Sequence, residues 1–512
     1  MENQAFSSTS RGLDAVWSNR FLTLALGGIL FLTLYPFRFG FHTPSVSGPP
    51  FFLGKSLKNA GFYDAFLNVL LFMPFGFGLA EKLRESGKSR AFVFISSLVA
   101  GALLSYSIEF LQIYIPERDS GWEDVFTNTS GTVFGFLLFE LVGNVVLHIL
   151  AACERGLEAL LYERRAALIL LLYFGLWFGA SLPLQHETRL NNWKPDSLLV
   201  VGNDASGKDA WTGQIRLLQI WDRAISREDA KSVSSMDGLA VVEPGLRASF
   251  AFSSSTPLHD QLAFMPDLVW TPRLSASPVT DPLVLDGSSW LSSKVDVPNL
   301  VQDLQRSNQF AFRIVCTPAK TSGVDSRVLS ISQPSGVANL AVRQLGTTLV
   351  FSFRNEISAK RSQLAWHTPD VFKAGETRDI LYSYDGSNLS LYIDGRVQPN
   401  RYKLGPGAAL AIFVRKIKPA ELNGYNYIFY ALVFFPGGAL LGIAARRLPL
   451  NRMASYMIFG AVILVIPLLM ELVLVRVSGR VFSPPNVALS VVLVIAGIVW
   501  TNADRGKVRS GQ

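Results

Sequence analysis

Residues 64–80 read DAFLNVLLFMPFGFGLA, an apolar stretch that begins with Asp64 and Asn68 and contains Pro74. Such runs approach the ~20 residues that an α-helix needs to cross a ~30 Å hydrocarbon layer. Runs of this kind cluster towards the two ends of the chain. They are Phe21–Phe37, Asp64–Ala80, Ala91–Ile115, Val125–Leu150, Ala166–Pro183, Tyr427–Ala445, Met453–Val475 and Val487–Trp500. We therefore predict a polytopic α-helical membrane bundle of about eight spans.

Basic residues are unevenly distributed, although the net charge is +8 overall. Eight spans place most of the basic loop residues on one side. These are Arg11, Arg20, Lys82, Arg84, Lys88, Arg90, Arg155, Arg164, Arg165, Arg446, Arg447, Arg452, Arg505, Lys507 and Arg509. The positive-inside rule makes that side the cytoplasm. We therefore expect a cytoplasmic-membrane protein in contact with the lipid bilayer, with both termini in the cytoplasm and no nucleic-acid partner.

The first span is expected to remain as an uncleaved anchor. The residues that follow it, Tyr35-Pro36-Phe37-Arg38, are bulky, whereas a signal-peptide cleavage site needs small residues.

The two membrane segments contain a repeat. When the sequence is shifted by 362 residues, the motif at residues 72–76 aligns with residues 434–438, and Glu109 and Arg118 align with Glu471 and Arg480. The register holds across three spans, and the number of intervening spans gives both copies the same orientation. We predict a parallel internal repeat whose second copy is degenerate. Three polar positions change there: Asp124 to Asn486, Gln112 to Leu474 and Asn128 to Ser490.

Polar side chains occur in pairs near the external ends of three predicted spans. The pairs are Asp64 with Asn68, Glu109 with Gln112, and Asp124 with Asn128. Spacings of three and four residues place each pair on one helix face. A charge at the depth of Glu109 is costly unless it is paired or hydrated, so we expect an inward-facing pocket in which Arg118 neutralises Glu109 or Asp124. Alternatively, Glu109 and Arg118 form a structural pair, since Glu471 and Arg480 retain it.

These motifs resemble the VanZ-like family. Residues 64–76 look like its first motif, and Glu109, Gln112, Arg118, Asp124 and Asn128, followed by Gly131 and Gly135, look like its second. The resemblance covers about residues 21–142, with a weaker echo in residues 427–500. The family is named for a protein associated with low-level teicoplanin resistance. The resemblance therefore implies a membrane protein of the cell envelope without implying a reaction.

The middle section, residues 185–422, lacks long apolar runs and alternates short strand-like segments with turn residues. This pattern predicts an external β-sandwich. Residues 384–396 and 211–229 resemble segments of the concanavalin A-like, laminin-G-like jelly roll, but in reversed order. Either the domain is circularly permuted or residues 187–243 are the remnant of a separate sandwich. The remaining predicted domains are residues 1–184 with five membrane helices, residues 423–502 with the second copy, and a cytoplasmic tail at residues 503–512.

Single residues of this section give few signs of chemistry. No Glu-x-Asp-x-x-Glu strand of the laminarinase kind is present, so hydrolysis is not expected. We interpret Asp385 and Asp394 as turn residues, Trp211 and Trp221 as core or domain-seam aromatics, and Cys316 as a buried thiol. The five histidines lie at no zinc-like spacing. We therefore expect neither a metal ion nor a cofactor.

Two functions follow from the sequence. The first is a non-enzymatic envelope protein. Its sandwich binds a surface glycan or protein, and its bundle binds a lipid or lipid-linked glycan precursor. The second is an enzyme or transporter that acts on lipid-linked glycan or peptidoglycan precursors at the outer leaflet.

Overall fold

The protein is described here by a computed structural model. It describes all residues except 1, 38, 41–61, 116–117, 119, 162–163, 236–243, 253–257, 273–282, 357–363, 400–401, 415–421, 447–456, 458 and 503–512. The chain forms two compact units. The first comprises residues 1–173, 434–463 and 492–512, and the second comprises residues 174–433 and 464–491.

The long helices occupy both ends of the chain, and three short ones, α6 to α8, lie in the middle section. They are α1 Glu2–Leu34, α2 Phe62–Glu85, α3 Arg90–Gln112, α4 Trp122–Leu160, α5 Arg164–His186, α6 Arg227–Ser235, α7 Pro298–Ser307, α8 Pro406–Val414, α9 Leu422–Ala445, α10 Ile466–Ser478 and α11 Pro484–Asn502. A π-helical segment, Ala461–Val465, leads into α10. Ser89 caps α3 by accepting a hydrogen bond from the N–H of Phe92 at 3.3 Å.

Seven of the described helices are long and apolar enough to cross a membrane. The predicted polytopic class is therefore confirmed. The predicted first span coincides with a shorter apolar stretch, Asn19–Leu34. Val487–Trp500 lies within the 19-residue α11. The start of the predicted span Met453–Val475 lies outside the described residues.

Helices α2 and α4 approach closely because glycines line their contact. A Cβ added at Gly131 would overlap the carbonyl oxygen of Val69, and one at Gly135 would overlap that of Met73. Two glycines four residues apart form the small-residue spacing that lets membrane helices pack backbone to backbone. This contact brings the first turns of both helices together.

The middle section is a two-sheet β-sandwich of antiparallel strands, as predicted. The strands are β1 Leu198–Val201, β2 Thr212–Trp221, β3 Leu246–Ala251, β4 Val269–Thr271, β5 Leu283–Asp286, β6 Trp290–Ser292, β7 Phe310–Pro318, β8 Asp325–Ser332, β9 Ala338–Leu345, β10 Thr348–Phe353, β11 Ala365–Thr368, β12 Arg378–Tyr384, β13 Asn388–Ile393, β14 Arg396–Val397 and β15 Tyr402–Lys403. One sheet has the order β11-β10-β9-β8-β1-β6-β4. The other has the order β14-β13-β12-β7-β2-β3, with β15 beside β13 and β5 beside β2.

The two earliest strands lie inside these sheets. Strand β1 pairs with β6 and β8, and β2 pairs with β3 and β7. Strands β1 and β2 therefore belong to the same sandwich as the later strands, and the separate-sandwich alternative is wrong. The circular permutation stays a prediction.

Aromatic rings fill the space between the sheets. Phe351 on one sheet stacks on Tyr382 of the other, with ring centroids 4.1 Å apart. Trp211 is a core residue whose Nε1 donates to Gln344 Oε1 at 2.6 Å. Cys316 is fully buried, and burial, aided by the charge of Asp379, raises the pKa of its thiol to about 12. The interpretations of Trp211 and Cys316 are thus confirmed.

Asp385 and Asp394, which the sequence predicted to be turn residues, lie in turns. Asp385 accepts hydrogen bonds from the N–H groups of Ser387 and Asn388. Asp394 has a φ of 51° and is followed by Gly395 with a φ of 71°, the conformation of a tight hairpin turn. Both residues serve the backbone, as expected from the sequence.

Within the second unit, the sandwich is bonded to the last turn of α10 and to the loop between α10 and α11. Arg189 donates to the carbonyl oxygen of Val477 at 2.7 Å. Asn308 donates to that of Ser478 at 2.7 Å, and the N–H of Val481 donates to the carbonyl oxygen of Asp385 at 3.2 Å. The sandwich therefore lies at the end of α10 where Arg480 follows.

Candidate functional site

Seven polar residues predicted to line a pocket are called the first cluster: Asp64, Asn68, Glu109, Gln112, Arg118, Asp124 and Asn128. The structure brings the members from α2 and α4 together, because Asn68 Nδ2 donates to Asp124 Oδ1 at 2.7 Å. Asp64, one turn earlier on α2, is exposed. No described residue donates to the second oxygen, Oδ2, of Asp124.

Ser105 connects α3 to this pair. Asn128 Nδ2 donates to Ser105 Oγ at 2.9 Å, and Ser105 Oγ lies 3.4 Å from the carbonyl oxygen of Asp124. Asn128 and Ser105 are 2% and 0% exposed, so this part of the cluster is in the interior of the three helices. The sequence analysis missed Ser105, although it lies four residues before Glu109 on one helix face.

Glu109 is 1% exposed and meets the start of α4. Its Oε2 accepts a hydrogen bond from the N–H of Gly121 at 2.9 Å. Gly121 is the N-cap of α4 and has no side chain to cap it. The carboxyl group thus supports a helix N-terminus, where negative charge is favoured.

Gln112 and Arg118 bind the C-terminal end of α1. Gln112 Nε2 donates to the carbonyl oxygen of Thr33 at 2.9 Å. Arg118 donates to the carbonyl oxygens of Leu32 at 2.7 Å and Tyr35 at 2.9 Å. Carbonyls in the last turn of a helix lack intrahelical partners, so both side chains satisfy them. These hydrogen bonds give Arg118 a structural role.

Acceptor atoms remain unused in the first cluster. Asn128 Oδ1, Gln112 Oε1 and Glu123 Oε1 are buried without a hydrogen-bond partner among the described residues. Gln112 cannot be turned round, because its Nε2 faces a carbonyl oxygen. Glu123 lies beside the cluster, and Gln112 and Asn128 belong to it. Buried polar atoms are nearly always satisfied, so each of these oxygens needs a donor that the described residues do not supply.

The second copy forms a tighter cluster, here called the second cluster: Lys403, Glu471, Arg480 and Asn486. Glu471 Oε2 pairs with Arg480 Nη2 at 2.5 Å and accepts from Asn486 Nδ2 at 3.2 Å. Glu471 and Arg480 are each 2% exposed. Here the Glu–Arg pair is a buried structural bond, as the alternative interpretation expected.

Lys403, at the end of β15, completes the second cluster. Its Nζ is hydrogen-bonded to Asn486 Oδ1, and Asn426 Nδ2 donates to its carbonyl oxygen at 2.8 Å. Burial and the neighbouring Arg480 lower the pKa of Lys403 to about 8. The sequence analysis did not find this residue, because nothing in a strand-end lysine indicates which helix it meets.

Contacts of the two copies recur at the 362-residue shift. The bond from the N–H of Gly121 to Glu109 is matched by one from the N–H of Ser483 to Glu471 Oε1, both 2.9 Å long. The overlap that a Cβ at Gly135 would have with the carbonyl oxygen of Met73 recurs in the second copy. There, a Cβ at Gly497 would overlap that of Phe435.

A buried ionic network lies at the basic end of the helices in the first unit. Glu154 receives Arg20 Nη1 at 2.9 Å and Arg446 Nη1 at 2.8 Å. Arg446 Nη1 also lies 2.6 Å from Glu158 Oε1. The network ties α1 and α4 to α9 and so joins the two membrane segments. Each charged side chain of the network has an oppositely charged partner, which indicates structure rather than ligand binding.

The sandwich has a small aromatic groove of about 210 Å³. Trp366, Tyr382, Tyr402 and Gln398 contribute to its lining. The rings of Trp366 and Tyr402 lie 5.8 Å apart, and Trp366 Nε1 is buried without a partner among the described residues. Trp366 and Tyr382 are each 1% exposed, so their rings belong to the core, while Tyr402 and Gln398 are partly exposed at the rim of the groove.

These features define an α-helical membrane protein with a β-sandwich between two sets of helices. A family model described as VanZ/LLP1 matches residues 13–143, which include the whole first cluster. This segment is therefore VanZ-like, as its motifs indicated. Neither the curated proteins nor the solved structures contained a match. Within the described part of the chain, no group of three or more His, Cys, Asp or Glu side chains could hold a metal ion.

Proposed function

We propose that the protein is a non-enzymatic cell-envelope protein whose first cluster binds the polar head of a lipid or lipid-linked glycan precursor. The observation that carries this proposal is the buried Oδ1 of Asn128, which has no donor among the described residues and lies one helical turn after Asp124, the partner of Asn68. A lipid head reaches the ends of membrane helices without leaving the bilayer. The cluster is expected to open to the outer leaflet, because the basic loops lie at the other ends of the same helices.

Binding is favoured over catalysis because Glu109 is 1% exposed and its Oε2 accepts the N–H of Gly121, which places this acid in the interior at the start of α4. Asp64 is the exposed carboxyl group and has no neighbouring base at hydrogen-bond distance among the described residues. The enzyme or transporter alternative would require turnover of a lipid-linked precursor by the purified protein.

We propose that the second copy now serves as the attachment site of the sandwich. The matched contacts support a parallel duplication of a three-helix unit. In the second copy, Lys403 of the sandwich is hydrogen-bonded to Asn486. The first copy would then keep the ligand site, while the second holds the external domain in place.

The sandwich is proposed to bind a surface glycan in the groove at Trp366. Tyr402 and Gln398 are partly exposed at the rim of this concave site, where an aromatic ring and an amide can contact a sugar. Gln398 is the polar side chain in that lining whose substitution disturbs the core least, since it is not in the buried core. Loss of glycan-array binding in Gln398→Ala is the expected result. Equal binding by wild type and variant would contradict this groove as the site.

The headgroup proposal is tested by native mass spectrometry of the full chain released from lipid nanodiscs. We expect one lipid to be retained by wild type and lost in Asn68→Ala, whose side chain holds Asp124. The matched control is Asn144→Ala, on α4 but far along the helix from Asp124. No retained lipid in wild type, or equal retention in all three proteins, would contradict the proposal.

A further inference from the structure

We infer that the first cluster recognises a primary ammonium group, as carried by an aminophospholipid headgroup. The inference rests on the proposed headgroup site and names the chemistry that the site selects. It comes from the second copy, where a side chain of the protein itself occupies the corresponding place.

Lys403 is that internal occupant. The 362-residue shift pairs Asp64 with Asn426 and Asp124 with Asn486. Both asparagines hold Lys403: Asn486 through its ammonium group and Asn426 through its carbonyl oxygen. The two positions that carry aspartates in the first copy thus surround a lysine in the second.

The first copy is electrostatically better suited to a cation than the second. Asp64 and Asp124 replace the neutral asparagines, and the charges of Asp64 and Glu123 act on Asp124. In the second cluster Arg480 pairs with Glu471 and opposes the charge of Lys403. In the first copy the corresponding Arg118 donates hydrogen bonds to carbonyl oxygens of α1. At these two positions a ligand ammonium would therefore meet carboxylates in place of the amides of Asn426 and Asn486, whereas the carboxylates that act on Lys403 are those of Glu471 and Asp385.

The unsatisfied acceptor atoms favour an ammonium group that carries N–H donors over one that carries none. Asn128 is 2% exposed, its Nδ2 is used by Ser105, and its Oδ1 has no partner among the described residues. Asp124 Oδ2 is likewise without a described donor. A primary ammonium supplies three N–H donors, whereas a quaternary ammonium supplies none. A divalent metal ion fits less well, because no metal-like group of ligands occurs among the described residues.

The experiment measures lipid competition on the full chain in nanodiscs of phosphatidylglycerol. Phosphatidylethanolamine, phosphatidylcholine and free ethanolamine are added in separate arms, and the bound species is read by native mass spectrometry. We expect phosphatidylethanolamine to be preferred at least about tenfold over phosphatidylcholine, given the strength of charge-assisted hydrogen bonds. Displacement by free ethanolamine would show that the amine suffices without the lipid tails.

Asp124→Asn tests whether the charge of Asp124 causes the lipid preference. Asparagine can still accept the bond from Asn68, so the fold is conserved while the charge is removed. We expect the preference to fall to about twofold or less. Asp64→Asn, at an exposed position of α2, should reduce the lipid preference without affecting folding. The matched control is Glu140→Gln, on α4 like Asp124. Melting temperatures of all variants verify that they are folded.

The outcomes separate the two proposals. If phosphatidylethanolamine and phosphatidylcholine bind equally at a site that Asn68→Ala abolishes, the headgroup site stands and the ammonium inference is overturned. If no lipid is retained in any arm, the proposed function itself fails. A preference that survives in Asp124→Asn would overturn the assignment to this carboxylate.

Discussion

Glu109 accepts a hydrogen bond from the main-chain N–H of Gly121 at 2.9 Å, across the turn that joins α3 to α4. Glu471 makes the same bond to Ser483 at 2.9 Å and additionally pairs with the buried Arg480. The shared bond explains why a buried acid occupies both positions. Because of this additional ion pair, the two acids should contribute unequally to the stability of the protein.

Glu471→Ala is expected to destabilise the protein more than Glu109→Ala. Removing Glu109 leaves one N–H unsatisfied, at a cost of about 1–3 kcal/mol. Removing Glu471 also leaves the buried Arg480 without its ion-pair partner, and such a loss typically costs about 3–5 kcal/mol of stability. Denaturant unfolding in detergent measures both losses. Equal losses in the two variants would mean that Arg480 is not held by Glu471.

The ionic network in the first unit is expected to be essential for stability. Glu154→Ala removes the partner of both Arg20 and Arg446 and should cost about 3–5 kcal/mol. Arg84→Ala is the control, because its side chain is 37% exposed and its ion pair with Glu140 should contribute at most about 1 kcal/mol. A smaller loss for Glu154→Ala than for Arg84→Ala would contradict the network.

The glycine contact between α2 and α4 predicts opposite effects at two positions of one helix. A methyl group at Gly135 would overlap the carbonyl oxygen of Met73, so Gly135→Ala should lose about 1–3 kcal/mol. Nothing lies within 4 Å of a Cβ at Gly156, so Gly156→Ala should gain up to about 1 kcal/mol from helix propensity. Thermal unfolding distinguishes them, and a neutral Gly135→Ala would refute the close contact.

Lys403 gives a pH dependence with a defined sign. Burial, aided by Arg480, lowers its pKa from 10.5 to about 8, so between these values the unfolded chain binds the extra proton. Stability should therefore rise with pH from about 8 to 10.5 through this group. Lys403→Met removes the contribution. The difference in melting temperature between wild type and variant should shift in favour of wild type between pH 7 and pH 10. A constant difference would show that Lys403 is not buried.

Patterns local in sequence predicted the architecture. Apolar runs located the helices, because spanning a membrane imposes a length and a composition that few other structures require. Turn residues such as Asp394 and Gly395 located the hairpins of the sandwich. Short strand-like segments between turn residues predicted the strands. Their order in the sheets became clear only from the structure, which places β1 and β2 between later strands.

The candidate site was predicted in part. Helical spacing predicted that Asn68, Asp124 and Asn128 share a face, and the structure shows Asn68 bonded to Asp124 and Asn128 linked to it through Ser105. The spacing could not reveal that Arg118 turns to the carbonyl oxygens of α1, since those acceptors become available only where that helix ends. Nor could it reveal the bond between Arg20 and Glu154, which are 134 residues apart, because such pairs depend on how helices pack.

The most direct measurement is a structure of the full chain in a lipid bilayer that contains phosphatidylethanolamine. The account predicts non-protein density between α2 and α4, with a headgroup nitrogen within hydrogen-bond distance of Asp124 and Asn128. A closed contact in which protein side chains bind both residues, with no such density, would contradict it.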